Sequence, residues 1–288
     1  MRSVVVTGAS TGIGRELVAG LVRSRARVWA TVRRTEDAES LRAEHGDAVE
    51  PVLMDVTDEA SVRAAGERVG AAGPLDALVN NAGVALPGPL EHLPLDVLRR
   101  QLEVNLVGQL AVTQAMLPAL RAGRERGRDV RIVMIGSIGG RIAGPMLGPY
   151  HAAKFGLVGL TGSLRAELAP WGIRVLLVEP GVIATPIWGR GAADGRAMAA
   201  GMSPQAQAHY GARMDAAVAG AARSAATGLP ADRAAAAVLR ALTERHPRPR
   251  RVVGRDALVV AAVVRLLPDR AVYRLAAHQA GRRRPAPS

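Results

Sequence analysis

Short runs of apolar, β-branched residues alternate along the chain with longer stretches whose apolar residues recur every three or four positions. The short runs predict strands near 2–7, 27–32, 49–54, 76–80, 130–136 and 173–179, with a seventh near 251–253. The longer stretches predict helices near 13–24, 36–45, 58–70, 94–121, 149–169 and 231–245. Strand and helix in regular turn is the pattern of a parallel sheet wrapped by helices on both faces. No fixed-period repeat and no low-complexity linker interrupts residues 1–180, so one compact α/β sheet is expected to use them all.

Residues 184–229 break the pattern: they are rich in Ala, Gly and Met, include Pro186 and Pro204, and carry no strand signal. Irregular segments of this length in a compact domain are commonly functional, and a substrate lid with short helices is expected here. Residues 256–280 read as one or two amphipathic helices interrupted near Pro268, and 281–288 as a disordered basic tail. The expected organisation is a dinucleotide-binding catalytic domain over 1–255 that includes the lid, then the helical extension and the tail.

Composition narrows the functional classes. The 288 residues are 49% hydrophobic, enough for one large α/β core. With no cysteine, disulfides, thiolate metal sites and cysteine nucleophiles are excluded, and no metal site is expected. The formal charge is +13, which invites a nucleic-acid reading, yet the arginines are scattered from Arg2 to Arg284 and aromatics for base stacking are only 2% of the chain. Solvated arginine in place of lysine accounts for the charge, and no nucleic-acid partner is expected. Met1-Arg2 runs directly into Ser3-Val4-Val5-Val6 without a signal-peptide pattern, and the late apolar run Ala257 to Val264 is too short to span a bilayer. The expectation is a soluble, cytoplasmic protein.

The chemistry centres on Tyr150-His151-Ala152-Ala153-Lys154. Positions i and i+4 of a helix lie about 6 Å apart along its axis, so the phenol and the ammonium can converge on one point. Bringing a tyrosine from a pKa of about 10 to near 7 takes about 4 kcal/mol of preferential phenolate stabilisation, which a cation in a desolvated cleft can supply. A bare YxxxK also occurs on ordinary helices, so composition matters again. Of the 38 basic residues only Lys154 is lysine, and the only asparagines are Asn80, Asn81 and Asn105. Where arginine stands at every other basic position, the remaining lysine marks a site at which a compact ammonium cannot be exchanged for a planar guanidinium.

Thr7-Gly8-Ala9-Ser10-Thr11-Gly12-Ile13-Gly14 follows the first strand and opens the first helix. Glycines there permit a tight turn, and the helix N-terminus offers unpaired N–H groups and a positive dipole end to a pyrophosphate. Its spacing is GxxxGxG rather than GxGxxG. The second strand ends Thr31-Val32-Arg33-Arg34 with no acid before Glu36. A carboxylate there would select NAD(H), whereas a basic residue accommodates the 2′-phosphate, so NADP(H) is the expected cofactor and NAD(H) the less favoured one.

With Thr7–Gly14, Asn80-Asn81-Ala82-Gly83, Asn105, Ser137, Tyr150 and Lys154 in this order, the chain resembles the short-chain dehydrogenase/reductase family over roughly residues 2–186. The resemblance implies a single Rossmann-type, doubly wound, parallel seven-stranded sheet holding a nicotinamide cofactor. It implies cofactor contacts from Gly8, Ser10, Thr11, Gly12, Ile13, Gly14 and Arg33, and from Asp55 with Val56 beside the adenine. It also implies contacts from Asn81, Ala82 and Gly83, from Pro180, Gly181, Val182 and Thr185 by the nicotinamide, and from Tyr150 and Lys154. Asn105, Ser137, Tyr150 and Lys154 are the implied catalytic set, with Lys154 lowering the tyrosine pKa and Asn105 helping to hold a water in the proton path. Ala153 and Gly136 stand where the family often has serine, and Ser10-Thr11 where many NADP-preferring members carry a basic residue.

The residues themselves suit hydride transfer to a carbonyl: the alkoxide formed needs a proton, which Tyr150 can give, and Ser137 can hydrogen-bond the carbonyl oxygen. Beyond residue 186 the similarity narrows to members acting on steroids, retinoids and other bulky hydrophobic alcohols or ketones, through Trp29-Ala30-Thr31-Val32-Arg33, Val178-Glu179-Pro180-Gly181 and Val253-Gly254-Arg255-Asp256-Ala257. The expected partners are a hydrophobic carbonyl or alcohol substrate and, by the same resemblance, a second copy of the chain in a homodimer or homotetramer. Two alternatives stay open: a non-catalytic NADP-binding sensor, and an enzyme resting on a membrane surface through residues 256–280 and Arg282–Arg284.

Overall fold

The computed structural model describes residues 2–279. Seven strands, β1 (Ser3–Val6), β2 (Arg27–Val32), β3 (Val49–Leu53), β4 (Ala77–Asn80), β5 (Arg131–Ile135), β6 (Arg174–Pro180) and β7 (Arg250–Val253), form one sheet in the order β3-β2-β1-β4-β5-β6-β7. Every pairing is parallel, as in Val4 opposite Val28 on one side and Ala77 on the other. Parallel strands need crossovers, and the helices that supply them bury both faces of the sheet. Successive residues of a strand therefore enter opposite cores. Val4 and Val6 join one core with Leu17, Leu21, Leu41 and Val238, while Val5 joins the other with Val62, Met116 and Leu157.

Helices α1 (Gly12–Arg23) and α2 (Thr35–His45) pack on the first face, and α3 (Glu59–Ala71) on the second. In α1 the i, i+4 pair Leu17 and Leu21 is fully buried, and each such leucine contributes about 2 kcal/mol of apolar transfer. Asp58 starts α3 by accepting from the Ala60 and Ser61 amides. The predicted helix 94–121 consists of α4 (Leu95–Leu102), a π-helical turn over Glu103–Val107, and α5 (Gly108–Glu125). The helix α6 (Gly148–Leu168) carries the tyrosine and the lysine.

The segment 184–229 departs from the expectation of short helices. It folds into two long ones, α7 (Pro186–Ala200) and α8 (Pro204–Thr227), bracketed by a two-residue parallel pairing of Ile183–Ala184 with Leu229–Pro230. Their alanines form helix readily, and glycines give the contact surfaces: a Cβ on Gly195 would lie 2.9 Å from Val218. Next, α9 (Ala231–Thr243) returns to the first face, with its C-terminus held by the buried Arg131, which donates to the Ala241 and Glu244 carbonyls at 2.6 Å each. Finally, α10 (Arg255–Leu266) and α11 (Asp269–Gln279) are separated at Pro268, as the sequence predicts, whereas the tail 281–288 lies outside the described residues. No helix among the described residues is long and apolar enough to cross a membrane.

Candidate active site

The strand order reverses between β1 and β4, and a crevice opens at the carboxyl ends of strands on either side of such a point. The glycine-rich turn leaves β1 there. Gly8 and Gly12 have φ of 62° and 56°, a left-handed conformation that favours glycine. A Cβ on Gly14 would sit 2.3 Å from the Gly8 carbonyl oxygen and 2.7 Å from Asn81 Nδ2, so only glycine allows the turn to close. The N-cap residue Thr11 makes no capping hydrogen bond and the first turn of α1 holds no acid, leaving the positive helix end available to an anion. Thr185 covers the same turn, its Cβ 3.0 Å from where a Gly12 Cβ would stand. These features fit a dinucleotide pyrophosphate.

Asn80–Gly83 leaves β4 beside this turn. The Thr7 hydroxyl accepts from the Asn81 and Ala82 amides at 2.8 and 2.9 Å, and the Asn81 side chain donates to the Thr7 and Gly8 carbonyls. Asn80 is buried and donates to Thr113 at 2.8 Å. Behind the loop, three side-chain amides four residues apart line one side of the α4–α5 helix. Gln101 accepts from Leu86 N–H and donates to Val84 O; Asn105 accepts from Val84 N–H and also donates to Val84 O; Gln109 donates to Ala82 O. The π turn places Asn105 at the centre of this ladder. Both ends of its amide are thus engaged with Val84.

At the end of β2, Arg33 is exposed, whereas Arg34 makes a bidentate pair with Asp37 at 2.9 and 3.0 Å. Burial would raise the Asp55 carboxyl, but two hydrogen bonds from Thr57 and the charge of Arg33 hold it below the ordinary carboxylate range. Val56 is buried, and a Cβ on Gly108 would lie only 2.6 Å from its carbonyl oxygen. Arg190 of α7 lies in the field of Arg33 and Arg34, which, after burial, lowers its pKa.

On the other side of the crevice, Ser137 follows β5 and caps a short turn by accepting from Gly139 N–H at 3.0 Å. Tyr150 and Lys154 face it from α6, all three buried. Lys154 Nζ donates to the Ile135 carbonyl at 2.8 Å and lies 5.8 Å from the Tyr150 ring centroid. Burial lowers Lys154 to about 8. The Tyr150 phenol is pushed up by burial, with Ser137 pulling it back down. The sequence leads one to expect a lowering; here desolvation is the larger effect on the phenol, and the Lys154 ammonium is engaged by the Ile135 carbonyl.

The loop Pro180-Gly181-Val182 is fixed from the C-terminal side. Val182 N–H donates to Asp256 at 2.9 Å, Gly181 N–H donates to Val253 O, and the Asp256 carboxylate occupies the space a Gly181 side chain would need. Just before it, the fully buried Glu179 binds Arg141 at 2.6 and 3.0 Å and Arg250 on its other side. Gln101, Gln109, Glu179, Asp256 and Arg190 were not among the sequence candidates. The four-residue spacing of Gln101, Asn105 and Gln109 was the signal for the glutamines, and Glu179 and Asp256 lie within the Val178–Gly181 and Val253–Ala257 motifs without a role assigned to them.

The short chain dehydrogenase family model matches residues 2–194. The NADPH-dependent 3-dehydrocapnine reductase of Ornithobacterium rhinotracheale is 35% identical over 277 residues, covering 94% of each chain. Retinol dehydrogenase 5 of Mus musculus is 36% identical over 281 residues, 93% of this chain and 86% of that protein. A short-chain dehydrogenase from Streptomyces avermitilis superposes with a TM-score of 0.77 at 30% identity, covering 96% of both chains.

Proposed function

The chain belongs to the short-chain dehydrogenase/reductase family, among its hydroxysteroid- and retinol-dehydrogenase-like members, and from that premise we propose that it is an NADP(H)-dependent reductase of a bulky hydrophobic ketone, working in reverse on the secondary alcohol. When bound, the cofactor supplies the hydride. The glycine-rich turn would hold its pyrophosphate, Asp55 and Val56 would border its adenine, and Asn81–Gly83 with Pro180–Val182 and Thr185 would line the nicotinamide side.

The observation that carries this reading is the convergence of Ser137, Tyr150 and Lys154 in one buried pocket wall. Ser137 Oγ accepts from Gly139 and its hydroxyl hydrogen-bonds Tyr150, which sets it beside the phenol where a substrate oxygen would be held. The Tyr150 hydroxyl is the group placed to donate a proton to an alkoxide formed beside Ser137. Lys154 contributes a buried charge beside that proton, and its bond to Ile135 fixes where the charge stands.

Choice of NADP(H) is supported by Arg33, whose side chain is exposed at the end of β2, by the nearby Arg190, and by the absence of a carboxylate at the strand end. The name of the Ornithobacterium relative points the same way. The test is titration with NADPH and NADH, followed by nicotinamide fluorescence, and then turnover on a panel of hydrophobic ketones. Tighter binding of NADH by tenfold would overturn the cofactor assignment.

Exposed Val107 and Phe155, on the π turn and on α6, support self-association through this helical face. Exposed Leu258, Val259 and Leu266 on α10 favour a second reading, in which that helix rests on lipid. Liposome co-sedimentation of the full chain against one ending at Arg255 distinguishes it.

A further inference from the structure

Away from the crevice, the loop after β4 and helix α8 bring Glu91, His92 and His209 together, with one potential ligand atom from each lying within 4.8 Å of the others. Two observations go beyond the clustering. His92 Nε2 is buried and has no hydrogen-bond partner among the described residues, and its distance to Glu91 Oε1, 3.7 Å, is too long for a hydrogen bond. The other oxygen of the same carboxylate, Oε2, accepts from the Tyr210 hydroxyl at 2.5 Å. One oxygen is therefore oriented by a phenol while the other faces an unsatisfied imidazole nitrogen, the arrangement in which an outer hydrogen bond aims a carboxylate at a metal.

We propose that Glu91, His92 and His209 form a binding site for a divalent transition-metal ion of the zinc type, with Tyr210 as the outer partner of Glu91. Two imidazoles and one carboxylate are ligands that zinc accepts, and about 2 Å from each donor atom is a separation that small side-chain rotations reach here. The fourth position is left to solvent. Tyr210 is already packed edge-on to His92, with ring centroids 5.6 Å apart, so the α8 residues need little rearrangement.

The ion would join two parts of the chain that otherwise meet around a cavity of about 400 Å³ lined by His92, Pro94, Met198, Met202 and Ala206. The loop is anchored at its other end to the segment before the catalytic tyrosine: Gly88 N–H donates to Met146 O at 2.8 Å, and Leu90 fills the space beside Gly148. Metal binding would thus hold α8 against the wall from which α6 begins.

The test uses tag-free full-length protein, equilibrium dialysis against Zn²⁺, and substitution by Co²⁺ with visible absorption as a geometric readout. Roughly one equivalent should bind with a dissociation constant in the micromolar range or below, raising the thermal midpoint, with cobalt bands of tetrahedral intensity. H209Q, an exposed position on α8, should weaken binding by at least about tenfold, and Y210F should weaken it while leaving the stoichiometry intact. Unaltered affinity in H209Q, loss of binding only on substituting His246, a histidine after α9 outside the cluster, or no saturable binding by wild type below about millimolar zinc would each overturn the site.

Discussion

The Lys154 ammonium donates to the Ile135 carbonyl at 2.8 Å while standing 5.8 Å from the centre of the Tyr150 ring. The charge is thus fixed by the end of β5, not by the phenol. An arginine at this position would carry its charge farther along the same direction and spread it over a plane. Lys154→Arg should therefore remove most of the activity, and Tyr150→Phe should abolish turnover without unfolding the protein or preventing NADPH binding. The two effects should be strongly non-additive, since both act on one proton transfer. Steady-state rates together with fluorescence titration of each variant check this, and near wild-type turnover in Tyr150→Phe would contradict it.

Burial holds Lys154 at about 8, well below a free lysine. The ammonium is present below that value and is lost as pH rises through it. NADPH affinity and ketone reduction should accordingly decline above pH about 8. Lys154→Met should show a lower but flat profile over the same range. The same shift has a stability sign: the unfolded chain binds this proton more tightly, so Lys154 destabilises the fold at neutral pH and that penalty is relieved as pH rises from about 8 to about 10.4.

Arg33 stands exposed at the end of β2, while its neighbour Arg34 is committed to Asp37. Arg33→Asp should weaken NADPH by about tenfold or more and narrow or reverse the preference over NADH, through loss of a charge-assisted phosphate contact. Arg34→Ala should have the smaller effect. Parallel titrations with both cofactors measure the ratio.

Glu179 has no exposed side-chain surface and binds two guanidiniums, of which Arg250 is 37% exposed and so partly screened by water. Glu179→Gln should destabilise the protein by about 3 kcal/mol, the low end for breaking a buried pair. Burial alone would raise this carboxyl, but Arg141 and Arg250 hold it below its ordinary value. Its stabilisation is complete above the unfolded pKa of about 4.3 and is lost as pH falls through the lower folded value, so wild type should lose stability more steeply than Glu179→Gln in that acid window. Chemical denaturation across pH measures both slopes.

Val107 and Phe155 expose 48% and 45% of their surfaces where α6 meets the π turn, an apolar face that a second copy can cover. Light scattering should give a dimer or tetramer at micromolar concentration, and Phe155→Glu should shift it toward monomer. A clean monomer in wild type would rule out this association.

The elements nearest the cofactor were legible because their signals are local. The glycine spacing of Gly8, Gly12 and Gly14, the strand before it and the apolar period after it all lie within a few residues of one another, and β2 begins and ends where its alternation predicts. The π turn was not legible: its central Asn105 pairs with Val84, a contact across 21 residues that no local pattern records. The lengths of α7 and α8 were missed for a related reason. Their alanine- and glycine-rich faces have weak periodicity, and they are helices because they pack on each other and on the 85–87 loop.

Residue types at fixed spacing were enough to give the order of strands and helices, the candidate site at the ends of β1, β4 and β5, and the family. Which protonation state each of these residues favours was decided by the tertiary structure. The identity of Tyr150 is written in the chain, but the upward direction of its pKa comes from burial in the fold, and the position of the neighbouring charge from the Ile135 carbonyl. The same holds for Glu179 and its two arginines, 38 and 71 residues away, and for Asp256 beneath Gly181. Desolvation and charge pairing act through space, and no periodicity along the chain records which groups the fold will bring together.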